Sequence, residues 1–257
     1  MGGGHGFPEV RDDSGYRVTR GDLRHLSISR EAFLEWFRGD LPLGLSFTTY
    51  EALVAELEQA LTADGIDPGD VDVRLKGSSS SFFAGRHKTL PTTRSEIVAS
   101  FRLLRGRYPR LFELQEIDNR LKTMWPAAHP HRPPFDAMYT LGIDRVHSDY
   151  DLQLSSDAIV TKCEKFAAAV GITPTREVTH HDVYNYVAWD LVRAAMPHLA
   201  QFTDLMSDAL RRDVTVAVFA SCGPPDVSAE FGDLSSHFKD SDWRIAAPSV
   251  RTGGDEG

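Results

Sequence analysis

The side chains best placed to do chemistry are the carboxylates of Asp149 and Asp151, which flank Tyr150 at the head of the alternating run Tyr150-Asp151-Leu152-Gln153-Leu154. Side chains alternate along a β-strand, so Tyr150, Leu152 and Leu154 belong to one face, while Asp149, Asp151 and Gln153 belong to the other. Two like charges side by side repel, and Asp is a poor strand former, so the pattern invites a cation between them. Oxygen donors of this kind suit a hard divalent ion such as Mg²⁺ or Mn²⁺. A third carboxylate, Asp213, opens the clearest strand in the chain, Asp213-Val214-Thr215-Val216-Ala217-Val218-Phe219.

A different stretch has the pattern of an anion site. Val71-Asp72-Val73-Arg74-Leu75 alternates as a strand and runs straight into Lys76-Gly77-Ser78-Ser79-Ser80-Ser81. A strand that passes through Gly and Ser into a short helix points backbone N–H groups outward, with Gly77 allowing close approach and Ser78 or Ser79 adding hydroxyl donors. The alternative reading is a flexible Ser-rich turn. Together the three features make a coherent chemistry. Gly77 and Ser78 would hold the phosphates of a nucleoside triphosphate, Asp149 and Asp151 would bind the metal ions that neutralise them, and Asp213 would hold a metal and accept the proton of an attacking hydroxyl. Lys88, Lys162 and Lys165 are candidate phosphate contacts and equally plausible as solvated surface lysines.

The elements that must position these residues are legible in part. Residues 1–26 are rich in Gly, Asp and Arg with little apolar periodicity, and read as a flexible arm. Ser29 caps a short helix with Phe33, Trp36 and Phe37 on its core side. Thr48 begins a better helix, with Glu51 at the capping-box position and Leu53, Val54, Leu57, Ala60 and Leu61 at helical spacing, ending near Asp64-Gly65. Thr93 and Glu96 form another capping box, ahead of Ile97, Phe101 and Leu104 on a helix that stops near Gly106. A further helix spans about 109–124 with Leu111, Leu114, Ile117 and Leu121 buried. Residues 127–134 form a Pro-rich connector whose histidines, His129 and His131, have weak spacing for a metal.

Ser156 or Asp157 caps a helix that runs to about Val170. The adjacent His180 and His181 would point in different directions on any regular element, so they make a poor shared metal site. A long helical region is expected from Val183 to Arg211, interrupted near Pro197, with Tyr184, Val187, Leu191, Ala194 and Ala195 on its core face. From Gly223 onward the pattern is irregular, ending in a disordered tail over 252–257.

Composition limits the function class. With 41% hydrophobic and 25% charged residues in 257, the chain reads as an ordinary soluble protein with one large core or two modest ones. No apolar run approaches the roughly 20 residues that cross a bilayer. The N-terminus lacks a basic segment followed by an apolar one, so a cytoplasmic protein is expected. Two cysteines, Cys163 and Cys222, are too few for a disulfide framework and read as buried small hydrophobes. The net charge of −9 argues against a general nucleic-acid binder but not against a nucleotide substrate. A nucleic-acid partner stays open through the basic residues gathered between Arg86 and Arg132.

The residues Gly77-Ser78, Gly142, Ser148-Asp149-Tyr150-Asp151-Leu152 and Asp213 resemble the pattern of the nucleotidyltransferase superfamily related to DNA polymerase β: Gly-Ser at the start of a helix, an Asp-x-Asp strand, then an acid on a neighbouring strand. By element order the resemblance covers about 48–221, and its specific motif residues number fewer than ten. It departs from the family where Gly77 and Asp149 are separated by a stretch long enough for two helices, in place of the usual dozen or so residues. A helical hairpin at about 92–135 inserted between the motifs would explain the gap, since loop-closure cost grows slowly with length.

The resemblance implies an α/β (α+β) fold. A mixed-sheet nucleotidyltransferase core would be flanked by helices over 27–222, with the inserted hairpin, and followed by an irregular segment over 223–257. It implies a Mg²⁺- or Mn²⁺-dependent enzyme that moves a nucleoside monophosphate from an NTP to a hydroxyl acceptor, whether a small molecule, a nucleotide, an RNA end or a protein, and releases pyrophosphate. Its catalytic and metal-binding residues would be Asp149, Asp151 and Asp213, with Gly77, Ser78, Ser79, Lys88 and Lys162 near the nucleotide. A catalytically silent nucleotide-binding module on the same fold is the alternative. A phosphohydrolase using the same acids is a third reading, which would release free phosphate in place of pyrophosphate.

Overall fold

A computed structural model describes residues 7–175, 179–180, 185–223 and 242–246. In chain order its elements are α1 (Arg20–His25), α2 (Arg30–Arg38), α3 (Phe47–Ala63), β1 (Asp72–Lys76), α4 (Ser78–Ser81), α5 (Arg94–Arg105), α6 (Leu111–Met124), α7 (Ala137–Leu141), β2 (Tyr150–Ser155), α8 (Asp157–Ala169), α9 (Trp189–Ala195), α10 (Pro197–Leu210), β3 (Val214–Phe219) and β4 (Trp243–Ala246). The strands form one mixed sheet in the order β3-β2-β1-β4, so the chain is α+β. The expected features at His181, at Val183 and Tyr184, in the Pro224-Pro225 segment and in the tail lie outside the described residues. No helix among the described residues is long and apolar enough to cross a membrane.

The chain divides into two units, Met1–Ser46 with Gly77–Ser148, and Phe47–Lys76 with Asp149–Gly257. The expected 92–135 hairpin is therefore part of a larger helical unit that also takes in the N-terminal residues.

The described part of that N-terminal stretch is built in, contrary to the expectation of a loose arm. Val18, Leu23 and Leu26 are buried in the unit's core with Phe33, Phe82, Ile97, Phe101 and Ile117. Two buried aspartates tie it down. Asp12 accepts from the backbone N–H groups of Ser14, Tyr16 and His131, and Asp22 accepts from the Trp125 indole, the Tyr16 hydroxyl and the Thr19 N–H. Buried carboxylates persist when their lone pairs are filled, and these partners lie as far as 103 and 119 residues away in sequence. Local composition carries no trace of such contacts.

Helix α5 forms with the expected caps, the Thr93–Glu96 capping box and Gly106 at φ +66, and α6 ends at Met124 as expected but starts at Leu111, two residues later than expected. Their apolar faces are narrower than the spacing implies. Ile97, Phe101, Leu114 and Ile117 are buried, but Leu104 and Leu111 are exposed, as is Phe37 on α2. The reason is end effects: all three sit in a first or last turn, beyond the reach of the core that covers the middle of each helix.

In the second unit, β1 and β2 are antiparallel, β2 and β3 are parallel, and β4 adds to β1 across a register shift between Val73 and Arg74. One sheet face carries Val73, Leu75, Tyr150, Leu152, Leu154, Val214 and Val218, all buried. Both α3 and α10 contribute to the apolar core through Leu53, Leu57, Leu61, Leu199, Phe202 and Met206. Asp64 links these two helices. Following α3, it accepts from the backbone N–H groups of His198 and Leu199 in the first turn of α10. Proline at position 197 ends α9 and opens α10, as expected of a residue with no N–H to donate. Starting at Trp189, α9 buries Val192 and Ala195 and leaves Ala194 exposed, against the expectation for Ala194.

Candidate functional site

The acids are set by the sheet register. Tyr150 pairs with Val214, and the Tyr150 N–H donates to the Asp213 carbonyl at 2.8 Å. Asp149 and Asp213 therefore stand one residue ahead of neighbouring parallel strands, in the same register. One step further in, Asp151 pairs with Thr215, whose hydroxyl donates to Asp151 Oδ1 at 2.6 Å. In-register residues of adjacent strands share a face, so Asp151 and Thr215 project together on the side opposite Tyr150 and Leu152. Asp149 and Asp151 are partly exposed and Asp213 is exposed.

The expected wet face is wet only at its near end. Beyond Asp151, Gln153 is 2% exposed and Ser155 1%. That end of the face is covered in the fold, whereas the alternating pattern alone describes an isolated ribbon. Gln153 Oε1 is buried without a hydrogen-bond partner among the described residues. Opposite Gln153 across the β1 pairing, Arg74 belongs to an ionic lattice: it donates to Asp72 at 2.6 Å and to Asp242 at 3.2 Å, Lys76 meets Asp242 at 2.6 Å, and Arg244 meets Asp72 at 2.5 Å. Burial works against the Arg74 charge, but its bonds to Asp72 and Asp242 outweigh that and hold its pKa above the ordinary value.

A cavity of about 440 Å³ lies in the first unit, against α6, with Arg120 and Glu116 in its wall paired to each other. A larger one, about 520 Å³, lies in the second unit, and Asp151, Asp213 and Thr215 line it. Its other walls include Tyr186, Trp189 and Arg193, with the Arg193 guanidinium 5.9 Å from the Trp189 ring centre. The spacing of the sequence carried no sign of this aromatic wall.

The donor chemistry of Asp149, Asp151 and Asp213 fits a hard divalent cation, since all are carboxylate oxygens. The geometry fits less well: among the described residues no group of three or more His, Cys, Asp or Glu side chains converges to hold a metal ion.

The remaining candidates are placed as follows. Gly77, Ser78, Ser79 and Lys88 belong to the first unit. Gly77 has φ +80, a conformation that excludes side chains at little cost only for glycine, and it precedes the single turn of α4. Ser78 and Ser79 are buried, and the hydroxyls of Ser80 and Ser81 donate to the Gly77 carbonyl, so this serine run closes its own turn. Lys88 is exposed. In the second unit Lys162 donates to the Asp64 carbonyl at the end of α3, and Lys165 is exposed. Gly142 caps α7 at φ +81. Cys163 is buried as expected, while Cys222 is exposed, contrary to expectation.

The sequence reading missed a cluster just before the first acid. Asp136, at φ +61 and 7% exposed, accepts from the Ser148 N–H at 2.8 Å and lies 3.0 Å from His147 Nδ1, while its own N–H donates to the Ser148 hydroxyl at 3.0 Å. The Tyr139 ring stacks on His147 with centres 3.7 Å apart. These contacts fix Ser148, the residue that leads into Asp149. The only local signal was an aspartate before a short helix.

Comparison with protein-family models, with curated proteins and with solved structures found no match.

Proposed function

We propose that the chain is a nucleotidyltransferase, which moves a nucleoside monophosphate from an NTP to a hydroxyl and releases pyrophosphate. The observation that carries this reading is the in-register parallel pairing of β2 and β3, which sets Asp213 beside Asp149 and Thr215 against Asp151, with Asp151, Asp213 and Thr215 lining a cavity. Asp149 and Asp151 are the residues that would hold Mg²⁺ or Mn²⁺, with Asp213 completing the donor set. When bound, the ion supplies neutralising charge to the triphosphate.

The other work falls to the chain itself. Asp213, exposed at the strand end, accepts the proton of the attacking hydroxyl. Thr215 fixes the rotamer of Asp151 through its hydroxyl, so one carboxylate oxygen is oriented before substrate arrives.

A specific observation favours a second reading, the catalytically silent nucleotide-binding module: three metal ligands do not converge among the described residues. One experiment separates the two. The purified protein is incubated with each α-labelled NTP and Mg²⁺ or Mn²⁺, and pyrophosphate release and label transfer are followed. The enzyme reading expects release that Asp149→Ala and Asp151→Ala each abolish. Full turnover in either variant rules out the acid pair, and NTP binding with no release under any condition supports the silent module.

A further inference from the structure

We infer that the cavity beside Asp151 and Asp213 is the acceptor pocket, and that it takes a planar, amino-bearing, phosphate-free ring system. The assignment rests on the proposed nucleotidyl transfer for the word acceptor, but the ring-binding property stands on the cavity alone. At about 520 Å³ the cavity is within the range of small-molecule sites, roughly 300–1,000 Å³.

Its composition selects the ligand. Tyr186 and Trp189 supply two aromatic surfaces, and the Tyr186 ring is itself buttressed edge-on by Phe219 at 6.2 Å. Aromatic side chains at a cavity wall hold planar rings by stacking. The charged groups in the described lining are Asp151, Asp204 and Asp213 against Arg193 alone, so the pocket is net acidic. Acidic walls repel phosphate and accept hydrogen bonds from amino groups. The hydroxyls of Thr203 and Ser207 are engaged within the protein, Thr203 donating to the Ala200 carbonyl and Ser207 accepting from the Val214 N–H.

A ligand stacked on Trp189 and carrying a hydroxyl toward Asp213 has the geometry of an attacking group. In that step the hydroxyl oxygen bonds to the α-phosphorus of the NTP, the bond from that phosphorus to the bridging oxygen breaks, pyrophosphate leaves with the electron pair, and the proton passes to Asp213.

The test uses the full chain without added metal, and measures binding of adenosine, inosine and AMP by calorimetry. Adenosine and inosine share stacking area and differ at the amino group, and AMP adds a phosphate. Adenosine is expected to bind several-fold more tightly than either. Trp189→Ala is expected to weaken adenosine about tenfold or more, and Trp189→Phe to recover most of the loss. Tyr186→Leu is the second variant if Trp189→Ala does not fold.

Equal binding of adenosine and inosine, AMP binding more tightly than adenosine, or unchanged affinity in both variants overturns the assignment. Turnover of NTP with no adenosine binding at millimolar concentration overturns the pocket and leaves the transferase standing. Adenosine binding as described, with no pyrophosphate release, leaves the pocket and removes its role as an acceptor site.

Discussion

Asp64 is the residue whose removal should most clearly test the packing of the second unit. Its carboxylate is 4% exposed and caps α10 from outside the helix, accepting from the Leu199 N–H at 2.8 Å and the His198 N–H at 3.2 Å. In Asp64→Ala both donors lose their acceptor. Leu199 is fully buried, so its orphaned N–H costs about 1–3 kcal/mol. His198 is exposed and recovers most of its bond from water. Loss of a negative charge at the positive end of a 14-residue helix adds about 0.3–1 kcal/mol. The sum is about 1.3–4 kcal/mol, or roughly 3–15 °C in Tm for a chain of this size. Asp64→Asn keeps one carbonyl oxygen and loses the charge, so it should cost about half as much. Urea unfolding followed by far-UV circular dichroism reads both, with the midpoint moving and the slope constant. A loss under about 0.5 kcal/mol for Asp64→Ala would refute the reasoning, because it would mean that α10 forms its first turn without the cap.

Two further outcomes follow from the structure. The Glu113 carboxyl is lowered from 4.5 to about 2 by its bonds to Arg107 and to the Arg110 N–H. A depressed carboxylate stabilises the fold above its unfolded pKa, and that contribution is lost as pH falls toward the folded one. The wild type should therefore lose stability faster than Glu113→Gln between about pH 4.5 and 2, and parallel curves would contradict the pairing. Burial pushes the Cys163 thiol up to about 11, whereas Cys222 is exposed. Iodoacetamide at pH 8 should then label a single cysteine in the native chain, identified as Cys222 by peptide mapping, and a second one only in denaturant. Equal labelling rates would show that Cys163 is reached by solvent.

Much of the second unit was legible in the sequence, for a physical reason. Strand alternation at Val71, Val73 and Leu75 and at Val214, Val216 and Val218 is a consequence of pleat geometry and needs no knowledge of neighbours. The helix boundary at Pro197, like those at Thr93 and Gly106 in the first unit, follows from donors and dihedral angles within a few residues. The positions of Asp149, Asp151 and Asp213 at strand heads were read in the same way. The first unit was less legible, since Asp12 and Asp22 are fixed by partners far along the chain, and composition alone suggested a loose arm.

By itself the sequence determined where β1, β2 and β3 run, which residues alternate on them, and that three carboxylates stand at the heads of β2 and β3. It missed β4, which lies at Trp243–Ala246 in the segment expected to be irregular and is a strand only through its pairing with β1. Which acid meets which neighbour was decided only in the tertiary structure. Register is a property of two strands together, and it gave Asp151 the Thr215 hydroxyl and set Asp213 beside Asp149. The burial of Gln153, the aromatic wall at Trp189 and Tyr186, and the Asp136 clasp on Ser148 were decided there as well. Each depends on side chains brought together by packing across tens of residues, where no local periodicity reaches.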